Sequence, residues 1–247
     1  MVMDEFKEAR AQIKTAPFKV KVDYYWYYYK VHVLTTVAVV WIFGSLIYNF
    51  VTQLPVAVNV TMINAFETED VTDQFVSDIA EYFGLSTDEY DFDFDATTLL
   101  DHEHQDMNYV AAQQKLIGLI ASRAIDAFAA DTFTYLTMIG TGMYIDLNTI
   151  FSAQEMEQYK DNLFYVDQYL LENPDVAASM PDEEMAKIDP TKPETMENPI
   201  PIGLTIPQDS VYLDSYNFIH DDMIIGVVAN SERMDAAKTF INYIMQN

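Results

Sequence analysis

Residues 31–51 read VHVLTTVAVVWIFGSLIYNFV, a run with no Asp, Glu, Lys or Arg. About 20 consecutive apolar residues suffice to cross the hydrocarbon core of a bilayer as a helix. In lipid, only a helix or a closed barrel satisfies every backbone N–H and C=O. A transmembrane helix is therefore expected here, dividing the chain into residues 1–30, 31–51 and 54–247. Tyr24, Tyr25, Trp26, Tyr27, Tyr28 and Tyr29 stand just ahead of it, with Trp41 and Tyr48 within it. Such rings favour the headgroup level, where one edge is wet and the other apolar, so these eight residues are the expected membrane-interface set. Gly44 and Ser45 form a small-residue notch that another helix could approach.

Six of the thirteen basic residues, Lys7, Arg10, Lys14, Lys19, Lys21 and Lys30, precede the span. Positive flanks stay in the cytoplasm, so the expected topology is a cytoplasmic tail (residues 1–30) and an extracellular C-terminal body. A cleaved signal peptide would need a shorter apolar run and a small-residue cleavage site. The stretch after the span, Tyr48 to Leu54, offers a poor one. A buried core helix is the other rival, and the coincidence of basic flank, aromatic belt and uncharged run argues against it.

Residues 54–247 hold 35 acidic and 7 basic residues, a net charge of −28. That repels phosphate backbones and excludes nucleic acid as a partner. It is compatible with cations, cationic peptides or neutral ligands, and it also keeps a domain soluble. The whole chain is 50% hydrophobic and 14% aromatic, and the body has ample material for a core. Its length suits one domain or a compact two-lobed one. The chain has no cysteine, which removes disulfides, thiolate metal sites and cysteine nucleophiles.

Along the body, Pro55–Ile63 is apolar on both alternating faces and predicts a buried parallel strand. A helix follows over 70–83, with Val71, Phe75, Ile79 and Phe83 on one stripe and Gly84 closing it. Residues 88–95 alternate Tyr90, Phe92 and Phe94 with Asp91, Asp93 and Asp95, the pattern of a half-buried strand. A second helix is expected over 106–122 on a stripe of Val110, Gln114, Ile117 and Ala121. A third strand is expected at 125–130, then a helix over 132–139 capped by Asp131. This rhythm predicts a parallel α/β sheet with right-handed crossovers. A helix over 155–171 should lead into an irregular excursion, residues 172–207, which holds seven of the nine prolines. Order returns at 211–218, then a buried strand at 223–229 and a final helix capped by Ser231, with Ala236, Ala237, Phe240, Ile241 and Ile244 facing inward.

Ala124–Asp131 with Gly142–Leu147, and Gly226–Ser231 with Ala236–Ile241, resemble extracellular solute-binding proteins of the type 2 periplasmic-binding fold. The chain looks like a membrane-anchored, shortened variant of the kind expected from a Gram-positive-type bacterium. The resemblance implies a binding lobe without catalysis. Its partners would be the lipid bilayer, another membrane protein or transporter, or a neutral or cationic small ligand, with no cofactor. An accessory subunit of a membrane complex, without a small ligand, is the alternative. The resemblance further implies that the bends Asn64-Ala65-Phe66-Glu67-Thr68 and Asp131-Thr132-Phe133, at carboxyl ends of strands, face a cleft, with Phe66, Glu67, Thr68, Asp131, Thr132 and Phe133 as the candidate ligand residues. Asp and Glu there would also serve as helix caps with no ligand present.

His102 and His104 have the His-x-His spacing that could point two imidazoles one way, with His220, Asp221 and Asp222 as distant partners for a metal. A hydrophilic turn is the favoured explanation, because the spacing is loose and the partners are distant in sequence. Asp91, Asp93 and Asp95 lack the loop glycine and downstream glutamate of an EF-hand. No nucleophile elbow, phosphate loop or zincin signature occurs.

Overall fold

A computed structural model of the protein describes residues 16–68 and 72–246. Lys7, Arg10 and Lys14, and Asp70 and Val71 at the start of an expected helix, lie outside the described residues. The chain divides into two compact units, one ending at Gln53 and the other running Leu54–Asn247.

The first unit contains α1 (Phe18–Thr52), 35 residues long and with none of its residues buried. It is long and apolar enough to cross a membrane. At 1.5 Å per residue it extends about 52 Å, longer than the roughly 30 Å hydrocarbon core. It begins thirteen residues before the expected span: residues 18–30, read as tail, are helical. Nothing between Pro17 and Gly44 breaks a helix, and Pro17 itself stands where proline is tolerated, just ahead of the first turn. Six successive aromatics at 100° per residue therefore form a collar all round the helix. Tyr24 and Tyr28 pair across one turn at 4.7 Å.

In the second unit, β1 (Val56–Ile63) lies between β3 (Asp91–Thr98) and β4 (Ala127–Asp131), and both pairings are parallel. Between β1 and β3 come β2 (Ala65–Glu67) and α2 (Thr72–Phe83), and α3 (Met107–Ala121) joins β3 to β4. After β4 follow α4 (Thr132–Thr137), α5 (Ala153–Gln158) and β5 (Leu163–Asp167). Three short helices come next, α6 (Gln168–Glu172), α7 (Pro174–Ala178) and α8 (Asp182–Met185), then β6 (Pro199–Thr205). The chain closes through α9 (Val211–Ser215), β7 (Tyr216–Phe218), β8 (Met223–Val227) and α10 (Met234–Ile244). The sheet order is β3-β1-β4-β8-β6-β5. β2 and β7 make a separate antiparallel pair.

The sheet is mixed, not parallel throughout as expected. β8 is antiparallel to both β4 and β6, and β5 is antiparallel to β6. Four of the six strands thus point one way. β4 and β8 are buried at every position. Such a strand has the same hydrophobic pattern in either direction, so periodicity carried no information about its sense.

Two apolar cores flank the sheet. Val58, Val60, Met62, Ala127, Ala129, Ile225 and Val227 pack with Phe75 and Ile79 of α2 and Phe240, Ile241 and Ile244 of α10. Ile63, Phe128, Ala130, Ile202 and Ile224 pack on the other face with Leu116 and Ile120 of α3, Tyr135 of α4 and Met185 of α8. Helices therefore cover both faces of the sheet, a three-layer α/β arrangement.

Two further expectations are corrected. The helix over 155–171 is cut by β5, where Leu163-Phe164-Tyr165-Val166 pairs with β6. The proline-rich excursion contains β6 itself, a strand inside the sheet. Pro199 and Pro201 sit where β6 pairs only with β5, and pairing with β8 begins at Leu204, so their missing N–H groups cost no second ladder. Order returns at 211–218 as expected, in a five-residue helix and a three-residue strand.

Ser231 is not the cap of the last helix, which starts three residues later. Its hydroxyl donates to Asp126 and accepts the backbone N–H of Arg233. α10 is instead tied to α5 through Glu155. That carboxylate completes a capping box with Ser152 and takes Lys238 Nζ at 2.9 Å. Burial pushes the Glu155 carboxyl up, but hydrogen bonds from Lys238, Ser152 and Asn242 outweigh it and hold it at about 2. A depressed folded pKa gives stability that is present above the ordinary value of 4.5 and lost as pH falls towards about 2. Glu155→Gln is expected to flatten the fall in thermal midpoint across that window relative to wild type; parallel curves would disprove the coupling.

Candidate functional site

The carboxyl ends of the parallel strands β1, β3 and β4 converge on one polar cluster, at the position where open α/β sheets bind ligands. Asn64 follows β1 with φ 57°, a left-handed conformation that asparagine tolerates better than most residues. Its side-chain amide accepts from Leu100 N and donates to Leu100 O, locking the loop after β3. Asp131 ends β4 and caps α4 by accepting from the Thr134 backbone N–H at 3.0 Å. Its second oxygen takes the Thr134 hydroxyl at 2.7 Å.

His102 reaches into this cluster. Its Nε2 lies 3.1 Å from Thr134 Oγ1 and its Nδ1 3.2 Å from the Tyr109 hydroxyl. Thr134 has already given its proton to Asp131, so Nε2 carries a hydrogen and donates, and Nδ1 accepts from Tyr109. Gln113 donates in turn to the Tyr109 oxygen at 3.0 Å. A neutral imidazole thus completes the chain Gln113, Tyr109, His102, Thr134, Asp131. Burial pushes the His102 pKa below its usual 6.5, outweighing the opposing pull of Asp131, Asp182 and Asp101. Phe133 seals one side, edge-on to the imidazole at 4.8 Å.

Chemically the cluster is a latch. The Thr134 hydroxyl points its proton at a carboxylate rather than at the imidazole, so His102 does not activate it as a base would activate a nucleophile. Thr134→Val is expected to destabilise the domain by about 1–3 kcal/mol, because it strips donors and acceptors from buried partners. Chemical denaturation followed by circular dichroism measures this; an unchanged midpoint would contradict it.

The expected site residues separate in space. Asp131 and Phe133 join the latch, and Thr132 lies beside them as the first residue of α4. Within the expected bend Asn64–Thr68, the chain bends at Asn64 and then continues as a short strand. Phe66 and Glu67 belong to β2, paired with β7, and Thr68 is tied to that strand by Asn217 Nδ2 at 2.9 Å. His102 and His104 diverge: the first is half-buried, while the second is exposed and pairs with Asp101 at 2.9 Å. Among the described residues no group of three or more His, Asp and Glu side chains converges to hold a metal. Asp91 and Asp93 lie on the outer face of β3 as expected, and Asp95 pairs with Lys115 at 2.8 Å.

The cavity of interest lies elsewhere, within the stretch expected to be irregular. It is an open pocket of about 590 Å³ lined by α6, α8 and the loop to β6, with Leu170, Ile188 and Met196 among its apolar residues. Two of its carboxylates are committed. Asp167 accepts backbone N–H groups of Tyr169, Glu197 and Asn198. Asp189 is held at about 2 by Lys192 at 2.5 Å, helped by Thr191. Glu184 and Lys187 remain at the rim with no ion pair. Every other basic side chain among the described residues of this unit is paired with an acid. No sequence motif marks Lys187; only the pairing of the other six singles it out. No family model, curated protein or solved structure matches this chain.

Proposed function

We propose that the protein is a single-pass, membrane-anchored binding module, with its N-terminal tail in the cytoplasm and its acidic α/β domain outside the cell. The observation that carries the anchor is α1, 35 residues with no buried face, attached to a domain whose two cores are complete without it. The excess of Lys and Arg ahead of residue 31 supports the orientation. The resemblance to solute-binding lobes agrees with a binding role and with the absence of catalysis.

The ligand best suited to the 590 Å³ cavity is a small zwitterion with an apolar body, its carboxylate on Lys187 and its ammonium on Glu184. An amino acid or short peptide has this chemistry, and it is neutral overall, so the −28 charge of the domain does not repel it. Protease protection in intact cells tests the topology; cleavage of the tail with the body protected would refute it. Thermal shift of the full chain in detergent, against branched and aromatic amino acids, dipeptides, sugars and divalent ions, tests the cavity. Stabilisation by zwitterions that Lys187→Met abolishes is expected, and no shift with any of them would overturn the ligand. The alternative, an accessory subunit held by protein contacts, is favoured by one observation: α3 has a second apolar face.

A further inference from the structure

α3 buries Tyr109, Leu116 and Ile120 against its own domain. The stripe expected to be its inner face, Val110, Gln114, Ile117 and Ala121, is exposed instead, as is Met107 ahead of it. A helix apolar on both sides is normally covered on both sides. The outward residues are spaced three, four, three and four apart, the a/d repeat of a helix that packs against another helix. Gly118 beside them has open space where a Cβ would stand, which permits close approach of a second backbone. The helix also contains no Asp or Glu, although the chain has 39 acidic residues, whereas α2 and α10 both carry acids.

We propose that this face is where a second copy of the chain docks, α3 against α3, antiparallel about a two-fold axis through Gln114. The one polar residue of the stripe is at its centre, seven positions from Met107 and seven from Ala121. An amide carries both donor and acceptor, so two Gln114 side chains satisfy one another across such an axis. The ends are complementary in charge: Asp106 caps the N-terminus and Arg123, whose exposed pair with Glu232 leaves it at the surface, follows the C-terminus, so the antiparallel arrangement sets each beside the other's opposite. Opposed helix dipoles favour the same sense. A helix about 22 Å long covers less than a standard interface. Association therefore rests on the anchoring reading, because confinement in one membrane supplies the effective concentration that area does not.

The absence of native cysteine makes the test direct. The full chain carrying Gln114→Cys, reconstituted in phosphatidylcholine vesicles, is expected to form a disulfide dimer under mild oxidation, and Glu183→Cys on α8 is not. Met107→Cys should link to Ala121→Cys in a mixture but not to itself. Ile117→Glu, added to Gln114→Cys, should lower the dimer about tenfold by placing like charges across the axis. It should leave the thermal midpoint unchanged, since Ile117 is 54% exposed. Equal cross-linking at Gln114 and Glu183, or self-linking of Met107→Cys, would overturn the proposal. Flotation with the vesicles is scored separately. A chain that fails to float refutes the anchor, and the α3 contact is then judged on the same variants in solution at high protein concentration.

Discussion

Replacing Arg233 with alanine is expected to cost about 3 kcal/mol of folding stability, the lower end of the roughly 3–5 kcal/mol lost when one partner of a buried pair is removed and an uncompensated charge remains. The Arg233 Nε donates to Asp126 Oδ2 at 2.8 Å, and Asp126 is fully buried. The Arg233 side chain is 32% exposed, so water offsets part of the loss and the lower end applies. Asp126 also takes the Ser231 hydroxyl at 2.6 Å and the Asn59 N–H at 2.8 Å. Its own backbone bonds Asn59 O and the Val228 N–H. One residue therefore ties the middle of β1, the entrance to β4 and the exit from β8. Both tryptophans, Trp26 and Trp41, lie in α1, so near-ultraviolet circular dichroism of tyrosines is the probe that follows the domain in denaturant. A loss of stability well below the range for a broken buried pair would show that Asp126 is held by its neutral donors alone.

Gly226→Ala is expected to be at least as damaging, about 4 kcal/mol, since overpacking costs about 1–3 kcal/mol and a buried hydroxyl forced off its acceptor adds about 1–3 more. A Cβ there would stand 2.0 Å from the Tyr135 hydroxyl and 2.6 Å from the Ile202 carbonyl oxygen. That hydroxyl donates to Ile202 O at 2.9 Å, and the Tyr135 ring stacks on Tyr144 at 4.3 Å. Gly203 on the adjacent strand β6 meets the same phenol, 2.9 Å from its own projected Cβ. Two glycines on neighbouring strands thus form the slot that Tyr135 fills. Tyr135→Phe removes the oxygen that clashes first, so Gly226→Ala should cost less in that background, a non-additivity expected of contacting residues. Strict additivity, measured by denaturation of the four proteins, would sink the slot.

Local signals read well where one side of an element faces water or where the chain must turn. Phe75 and Ile79 are buried on α2, Phe92 and Phe94 on β3, Asp131 caps α4, and Gly84 closes α2 at φ 67°. They failed where both sides were apolar. α3 carries two stripes, and periodicity alone had no means of choosing which one the domain covers. Of the polar cluster, Asp131 was legible as a helix cap at a strand end. Thr134 and Tyr109 were missed because they act by hydrogen-bonding to residues outside their own helical stripes. Lys187 was missed because lacking a partner is a property of its surroundings.

The membrane-length helix, the basic charge ahead of it and the acidity of residues 54–247 were legible in the linear chain, because each depends on neighbours a few residues apart and on the solvent they demand. The directions of β8, β6 and β5, the strand hidden among the prolines, the Tyr135 slot and the cavity beside Lys187 were decided only when distant segments met. Their energies come from contacts such as Asp126 with Arg233, 107 residues apart, which no local pattern records.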